Sequence, residues 1–161
     1  LLKVADLIEA NVDRIALQET LESGKPISQS KGEVAGAADL WRYAAALART
    51  SQGDSHNTLG SDMLGVVVKD PIGVVSVITP WNFPFWILSQ KLPFALGAGC
   101  TVVVKPSEMT PSSTAMMGEL LIEAPRPPED AQTCPLPRLR GDLQLTVFAG
   151  RRRLDTAGLP C

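Results

Sequence analysis

Histidine, tyrosine and cysteine are scarce in this chain of 161 residues, which holds one His, one Tyr and three Cys. The cysteines are odd in number and show no CxxC spacing, so neither a disulfide framework nor a zinc site is indicated. His56 lies in a polar stretch without other ligand types around it and reads as a solvated side chain; no metal is expected. No apolar run reaches membrane-spanning length without a Pro or a charge, and no signal peptide is visible. The glycine fingerprint GxGxxG of ordinary dinucleotide-binding folds is missing. Net charge is only −2, which gives no electrostatic ground for nucleic acid or an anionic membrane as partner. A reducing, cytoplasmic setting fits these absences.

With 45% apolar and 20% charged residues the chain is of globular type, one domain or a piece of one. It lacks an initiator Met and opens on Leu1-Leu2-Lys3-Val4, already inside a helical pattern, so the start reads as a cut. Apolar residues at 4, 7, 8, 12 and 15 predict a helix over about 1–21, stopped by Gly24-Lys25-Pro26. A second helix is expected from Ser30, with Glu33 as its capping-box partner, to about Arg49. Ser51–Asp62 reads as a surface loop. Met63–Lys69 is expected as a strand, Asp70-Pro71-Ile72-Gly73 as a turn, and Val74–Thr79 as a strand buried on both faces. Pro84–Leu96 follows as a helix strained at Pro93, then Thr101–Val104 as the next buried strand. Thr110 is expected to cap a further helix, with Pro111 at its first position, to about Ala124. This rhythm is an α/β unit, βαβα, with parallel strands and a right-handed crossover. Trp41, Trp81 and Trp86 read as packing residues, Cys100 as a core residue, and Glu19 and Glu22 as parts of a solvated face.

At Pro125 the composition changes. Residues 1–124 hold six Lys and three Arg, whereas 125–161 hold no Lys, six Arg and six of the thirteen prolines. A third strand should follow Ala124 within a few residues, yet the only strand-like run is Leu143–Ala149. The division expected is therefore 1–124 as a partial nucleotide-binding domain, with strand and turn at 63–72, and 125–161 as an Arg/Pro-rich, disordered or non-native tail. Out-of-frame translation of a GC-rich gene accounts for such a tail; a native disordered tail is the alternative.

The residues able to carry chemistry cluster where strand gives way to helix. In Thr79-Pro80-Trp81-Asn82-Phe83-Pro84, the Asn82 amide can donate to an oxygen developing negative charge, as an oxyanion hole requires. The bland alternative is a helix cap. Lys105 and Glu108 follow the next strand. A carboxylate there can accept hydrogen bonds from ribose hydroxyls, and a Lys ammonium can donate to sugar or phosphate oxygens. Their alternative is a solvated charge pair. Both sites follow successive parallel strands, so both face one edge of the sheet, where open α/β sheets bind ligands. Cys100 has no nearby His and no context for a nucleophile.

These segments resemble the NAD(P)-dependent aldehyde dehydrogenase superfamily. The resemblance is carried by Ile78–Glu108, Leu21-Glu22-Ser23-Gly24-Lys25-Pro26, Pro71-Ile72-Gly73-Val74-Val75 and Gly118–Ala124, in the family's order. It implies a Rossmann-like NAD-binding domain, with NAD, or alternatively NADP, as cofactor. Glu108 beside a ribose leans towards NAD, because a carboxylate repels a 2′-phosphate. The resemblance gives Asn82 the role of oxyanion donor to a thiohemiacetal formed by a Cys nucleophile. A Glu base then hydrolyses the thioester to the carboxylic acid. It gives Thr79, Pro80, Trp81, Lys105 and Glu108 to the cofactor crevice. It sets Met63–Lys69 in an oligomerisation arm, implying a homo-oligomeric parent that oxidises a small-molecule aldehyde. The family's Glu and Cys motifs do not occur here, so the chain is expected to be inactive. The alternatives are a residual nucleotide-binding or subunit-interaction module, or a non-functional pseudogene product.

Overall fold

The computed structural model describes residues 1–58 and 60–124, together with the backbone of the strand 146–148. The first expected helix is two helices, α1 (Leu2–Ala10) and α2 (Val12–Ser23). The break falls at Asn11, whose side-chain amide donates to the Leu7 carbonyl oxygen at 2.9 Å and so competes with the helical ladder. The apolar stripe continues across the break, burying Val4, Leu7, Ile8, Ile15 and Ala16. Gly24 ends α2 in the left-handed conformation, φ 73°, which suits a residue without Cβ.

Helix α3 (Ile27–Thr50) starts directly after Pro26, earlier than the expected Ser30. The capping box is not made. Ser30 is buried and shares a 2.9 Å hydrogen bond with the Thr20 hydroxyl, while Glu33 is engaged by Lys25. Tertiary partners have taken both side chains of the local motif. Helices α1 and α2 both pack on α3, as do α4 (Pro84–Ser89) and α5 (Leu92–Gly97). Gly36 makes room for this packing, since a Cβ there would meet the Trp86 ring at 2.8 Å. Trp41, fully buried, donates its indole N–H to the Ser89 hydroxyl at 3.3 Å. The expected single helix over 84–96 is thus interrupted, and Pro93 lies in the first turn of α5, where a missing N–H costs nothing.

The loop expected at Ser51–Asp62 contains a short strand, β1 (Asp54–His56), which pairs antiparallel with β2 (Gly65–Val67). The second sheet has the order β3-β4-β5. Strands β3 (Val74–Ile78) and β4 (Thr101–Lys105) are parallel in the register Val74↔Thr101 to Ile78↔Lys105. The third strand exists after all: β5 (Thr146–Phe148) falls inside the run Leu143–Ala149, but pairs antiparallel to β4. Strand β4 is therefore central, with β3 on one side and β5 on the other. The rest of the 125–161 tail lies outside the described residues.

Burial on both faces holds for β4, where Thr101, Val102 and Val104 are buried, but not for β3. Val77 is buried and Val75 packs against the core, while Val74 and Ile78 on the opposite face are exposed. Among the described residues β3 is an edge strand, and the core lies against one of its faces only. Cys100 is buried immediately before β4, as expected of a core thiol. Helix α6 (Ser112–Glu123) returns to pack on α2 and α4, burying Met116, Met117 and Leu120.

Candidate functional site

The parallel register sets the ends of β3 and β4 level, and the Thr79 N–H donates to the Lys105 carbonyl oxygen at 3.1 Å. Two turns leave this common edge: Thr79–Phe83 into α4 and Pro106–Pro111 into α6. Thr110 joins them through a 3.1 Å hydrogen bond from its hydroxyl to the Trp81 carbonyl oxygen. The sequence suggested Thr110 as the cap of α6, but the helix begins at Ser112 after Pro111 and Thr110 makes no cap. The cap comes from elsewhere: both Glu22 oxygens accept from the Ser112 N–H, at 3.3 and 3.2 Å, and the Ser112 hydroxyl bonds the same carboxylate. A carboxylate at this position satisfies an unpaired helix N–H and faces the positive end of the helix dipole.

Asn82 is exposed, and the residue that caps α4 is Phe83, with no side-chain cap. The cap alternative for Asn82 is thereby removed, and its amide is left for another acceptor. Phe83 has φ 51°, the single non-glycine residue with positive φ among the described residues. For a bulky residue this conformation costs on the order of 1–2 kcal/mol. Pro84 denies Phe83 the right-handed alternative, because the residue before Pro clashes there. Trp81 is 53% exposed, so it is not the packing residue expected.

Lys105 donates to Glu108 at 2.5 Å. That bond, helped by the Glu108 backbone N–H, holds the Glu108 carboxyl below its ordinary range. About half of the Glu108 side chain (53%) stays exposed, so the pair retains hydrogen-bonding capacity towards a further partner. The donor set fits a ribose: a carboxylate to accept from a diol, and an ammonium with unused N–H donors. Thr79 is buried and its hydroxyl has no hydrogen-bond partner among the described residues, while Pro80 is exposed beside it.

Glu19, expected on a solvated face, instead belongs to a buried cluster beside the first turn. Glu19 is fully buried, at 0% exposure. It accepts from Lys25 Nζ at 2.6 Å, and Lys25 also bonds Glu33. The same Nζ stands 4.8 Å from the centre of the Phe83 ring, a cation–π arrangement. Burial raises the Glu19 carboxyl above its ordinary range, Lys25 pulls it back, and Glu33 adds to the rise. One signal of this was readable: Glu19 follows Ile15 and Ala16 at helical spacing, so a carboxylate sits on the apolar stripe.

Two linked turns thus stand at the carboxyl edge of the parallel strands β3 and β4, with an exposed Asn82 amide and the Lys105–Glu108 ion pair beside them, the position at which open α/β sheets bind ligands. The description "Aldehyde dehydrogenase family" matches residues 1–137, and the chain belongs to that family. The match runs past Ala124, further than the motifs that carry the likeness in the sequence. Rat mitochondrial succinate-semialdehyde dehydrogenase is 42% identical over 135 residues, which are 84% of this chain and 26% of that protein. A crystal structure of an NAD-dependent aldehyde dehydrogenase from Sinorhizobium meliloti superposes with a TM-score of 0.76 at 54% identity. It covers 78% of this chain and 25% of that one. Succinate-semialdehyde dehydrogenase from Burkholderia pseudomallei gives 0.75 at 44%, over 78% of this chain and 26% of that one. The chain thus spans about a quarter of the length of these relatives.

Proposed function

We propose that this chain is the adenosine-ribose and oxyanion portion of an NAD(P)-dependent aldehyde dehydrogenase, and that alone it binds NAD without oxidising aldehyde. The observation that carries the reading is the hydrogen bond from Thr110 to Trp81. It ties the Asn82 turn to the turn that carries Glu108, which supports reading the two as one site. Glu108 and Lys105 would hold the ribose hydroxyls, and Thr79, Pro80 and Trp81 would line the cofactor's path. The cofactor, when bound, supplies the hydride acceptor. Asn82 would donate to the oxygen of a small-molecule aldehyde after attack by a nucleophile, which these residues do not supply. NAD is favoured over NADP by the Glu108 carboxylate. The S. meliloti relative is described as NAD-dependent. A homo-oligomeric, cytoplasmic parent without nucleic-acid or membrane partners belongs to the same proposal.

Calorimetric titration of NAD into the 161-residue chain tests it. Weak saturable binding that is lost in Glu108→Ala is expected; no binding, or binding indifferent to that change, overturns the cofactor assignment. No aldehyde-dependent NADH formation is expected. Turnover abolished by Cys100→Ala would refute the inactive reading.

A second reading rests on the β1–β2 hairpin. Val66, Val67 and Val68 are exposed there, and an exposed apolar strand can add to a partner's sheet. Co-purification with an intact aldehyde dehydrogenase subunit supports this interaction role; its absence at high concentrations of both counts against it.

A further inference from the structure

We propose that Lys25 is a positioning residue that aims Asn82 through the Phe83 ring. The proposal rests on the reading of Asn82 as the oxyanion donor, and deepens it by naming what holds that amide in place.

Phe83 needs something to hold it. Pro84 excludes its right-handed conformation, and at φ 51° it occupies a region that residues with a Cβ disfavour. Extended backbone remains open to it, and that would swing Asn82 away from its present direction at the entry to α4. The Phe83 ring is not sealed into the core, being 39% exposed, so apolar packing alone does not fix it. The identifiable hold is Lys25 Nζ, 4.8 Å from the ring centre.

Lys25 can serve because it is itself immobilised. Its ammonium is gripped by Glu19 at 2.6 Å and by Glu33, with the Lys25 side chain 12% exposed and that of Glu19 fully buried. A lysine on a free surface would lose rotamer entropy in making such a contact; this one has already lost it to two carboxylates. Glu19 Oε2 and Glu33 Oε1 are buried without hydrogen-bond partners among the described residues. The cluster thus carries more anionic capacity than Lys25 consumes, which keeps the ammonium drawn to one place. Glu22, in the same turn, braces the second crevice loop by capping α6 at Ser112. The segment 19–26 therefore touches both loops through different residues, and the two contacts can be separated by mutation.

The test is heteronuclear NMR of the full 161-residue chain, following the Asn82 side-chain amide, the Phe83 backbone amide, the Lys25 ε-methylene protons and the Trp41 indole. In the wild type the Lys25 ε-methylene signal is expected upfield, shifted by the Phe83 ring current. In Lys25→Met, which keeps the stem and removes the charge, the Asn82 and Phe83 signals should shift while the Trp41 indole stays in place. Lys25→Arg should restore both signals towards the wild type. Glu22→Gln should move the Ser112 amide and leave Asn82 unmoved. Unmoved Asn82 and Phe83 signals in Lys25→Met overturn the proposal. So does a Trp41 shift as large as that of Asn82, which marks a merely structural lysine. Should Lys25→Met not fold, Lys25→Gln decides, since it keeps a hydrogen-bond donor for the two carboxylates and removes the charge over the ring. A shifted Asn82 amide then supports the proposal, and an unmoved one overturns it. A wild type that fails to bind NAD refutes the cofactor assignment alone, because the NMR comparison between variants is unaffected.

Discussion

Thr110 donates its hydroxyl to the carbonyl oxygen of Trp81 at 3.1 Å, joining the loop after β3 to the loop after β4. Thr110 is 1% exposed, whereas the Trp81 side chain is largely open to water, so the bond is anchored from the inner side. Thr110→Val keeps the shape and removes the donor. It should lower stability by about 0.5–1.5 kcal/mol. Urea unfolding followed by tryptophan emission measures this, and an unchanged midpoint would show that the tie is not energetically significant.

Asn82 should behave in the opposite way. It is exposed and caps nothing, so Asn82→Ala is expected to leave stability within about ±0.5 kcal/mol. A cap would cost about 1 kcal/mol on the same substitution. Thermal unfolding of the two proteins distinguishes them, and a loss of cap size would return Asn82 to a structural role.

Glu22→Ala should cost about 0.5–2 kcal/mol, the range for loss of a side-chain N-cap. The loss arises at α6, since Glu22 bonds the Ser112 N–H and hydroxyl. Amide hydrogen exchange should quicken at the first turn of α6 before it does in α3. Equal acceleration in both helices contradicts the capping assignment.

Burial holds the Glu19 carboxyl above its ordinary range, against the pull of Lys25. Between the ordinary and the raised value the folded chain retains a proton that the unfolded chain has released, so stability falls as pH rises through that interval. The contribution is complete below the ordinary Glu value and lost once pH passes the raised one. Glu19→Gln does not titrate. The stability of the wild type relative to Glu19→Gln should therefore decline with rising pH, read from urea midpoints at several pH values. A difference that is flat, or that grows, rules out the retained proton.

Much of this is legible in the sequence. The spacing of Val4, Leu7, Ile8 and Ile15 located the first helical layer, and the β-branched run at 101–104 located the central strand. Asn82, Lys105 and Glu108 were placed at one sheet edge by parallel pairing alone, and they lie there. What escaped was decided by partners distant in sequence. Ser30 and Glu33 have the spacing of a capping box, but Thr20 and Lys25 claim them first. Thr110 is well placed to cap α6, yet Glu22 performs that role across the molecule. The second face of β3 is open because no layer covers it among the described residues, and a run of β-branched residues does not say which face that will be. The antiparallel direction of β5 was likewise not legible, since a three-residue strand carries no sense of direction in its composition.

Helix α3 has 24 residues, at about 1.5 Å each a rod of about 36 Å. Helices α1, α2, α4 and α5 all lie along it, the first two as its immediate neighbours in the chain. Its inner face is therefore where an ordering of events during self-assembly would begin, because short loops close early and at little entropic cost. The pairing of β4 with β5 spans a much longer stretch of chain than the packing of α2 on α3 and belongs later in that sequence of events. A destabilising change at Ala37 or Ala38 should retard refolding, whereas one at Val103 should chiefly hasten unfolding.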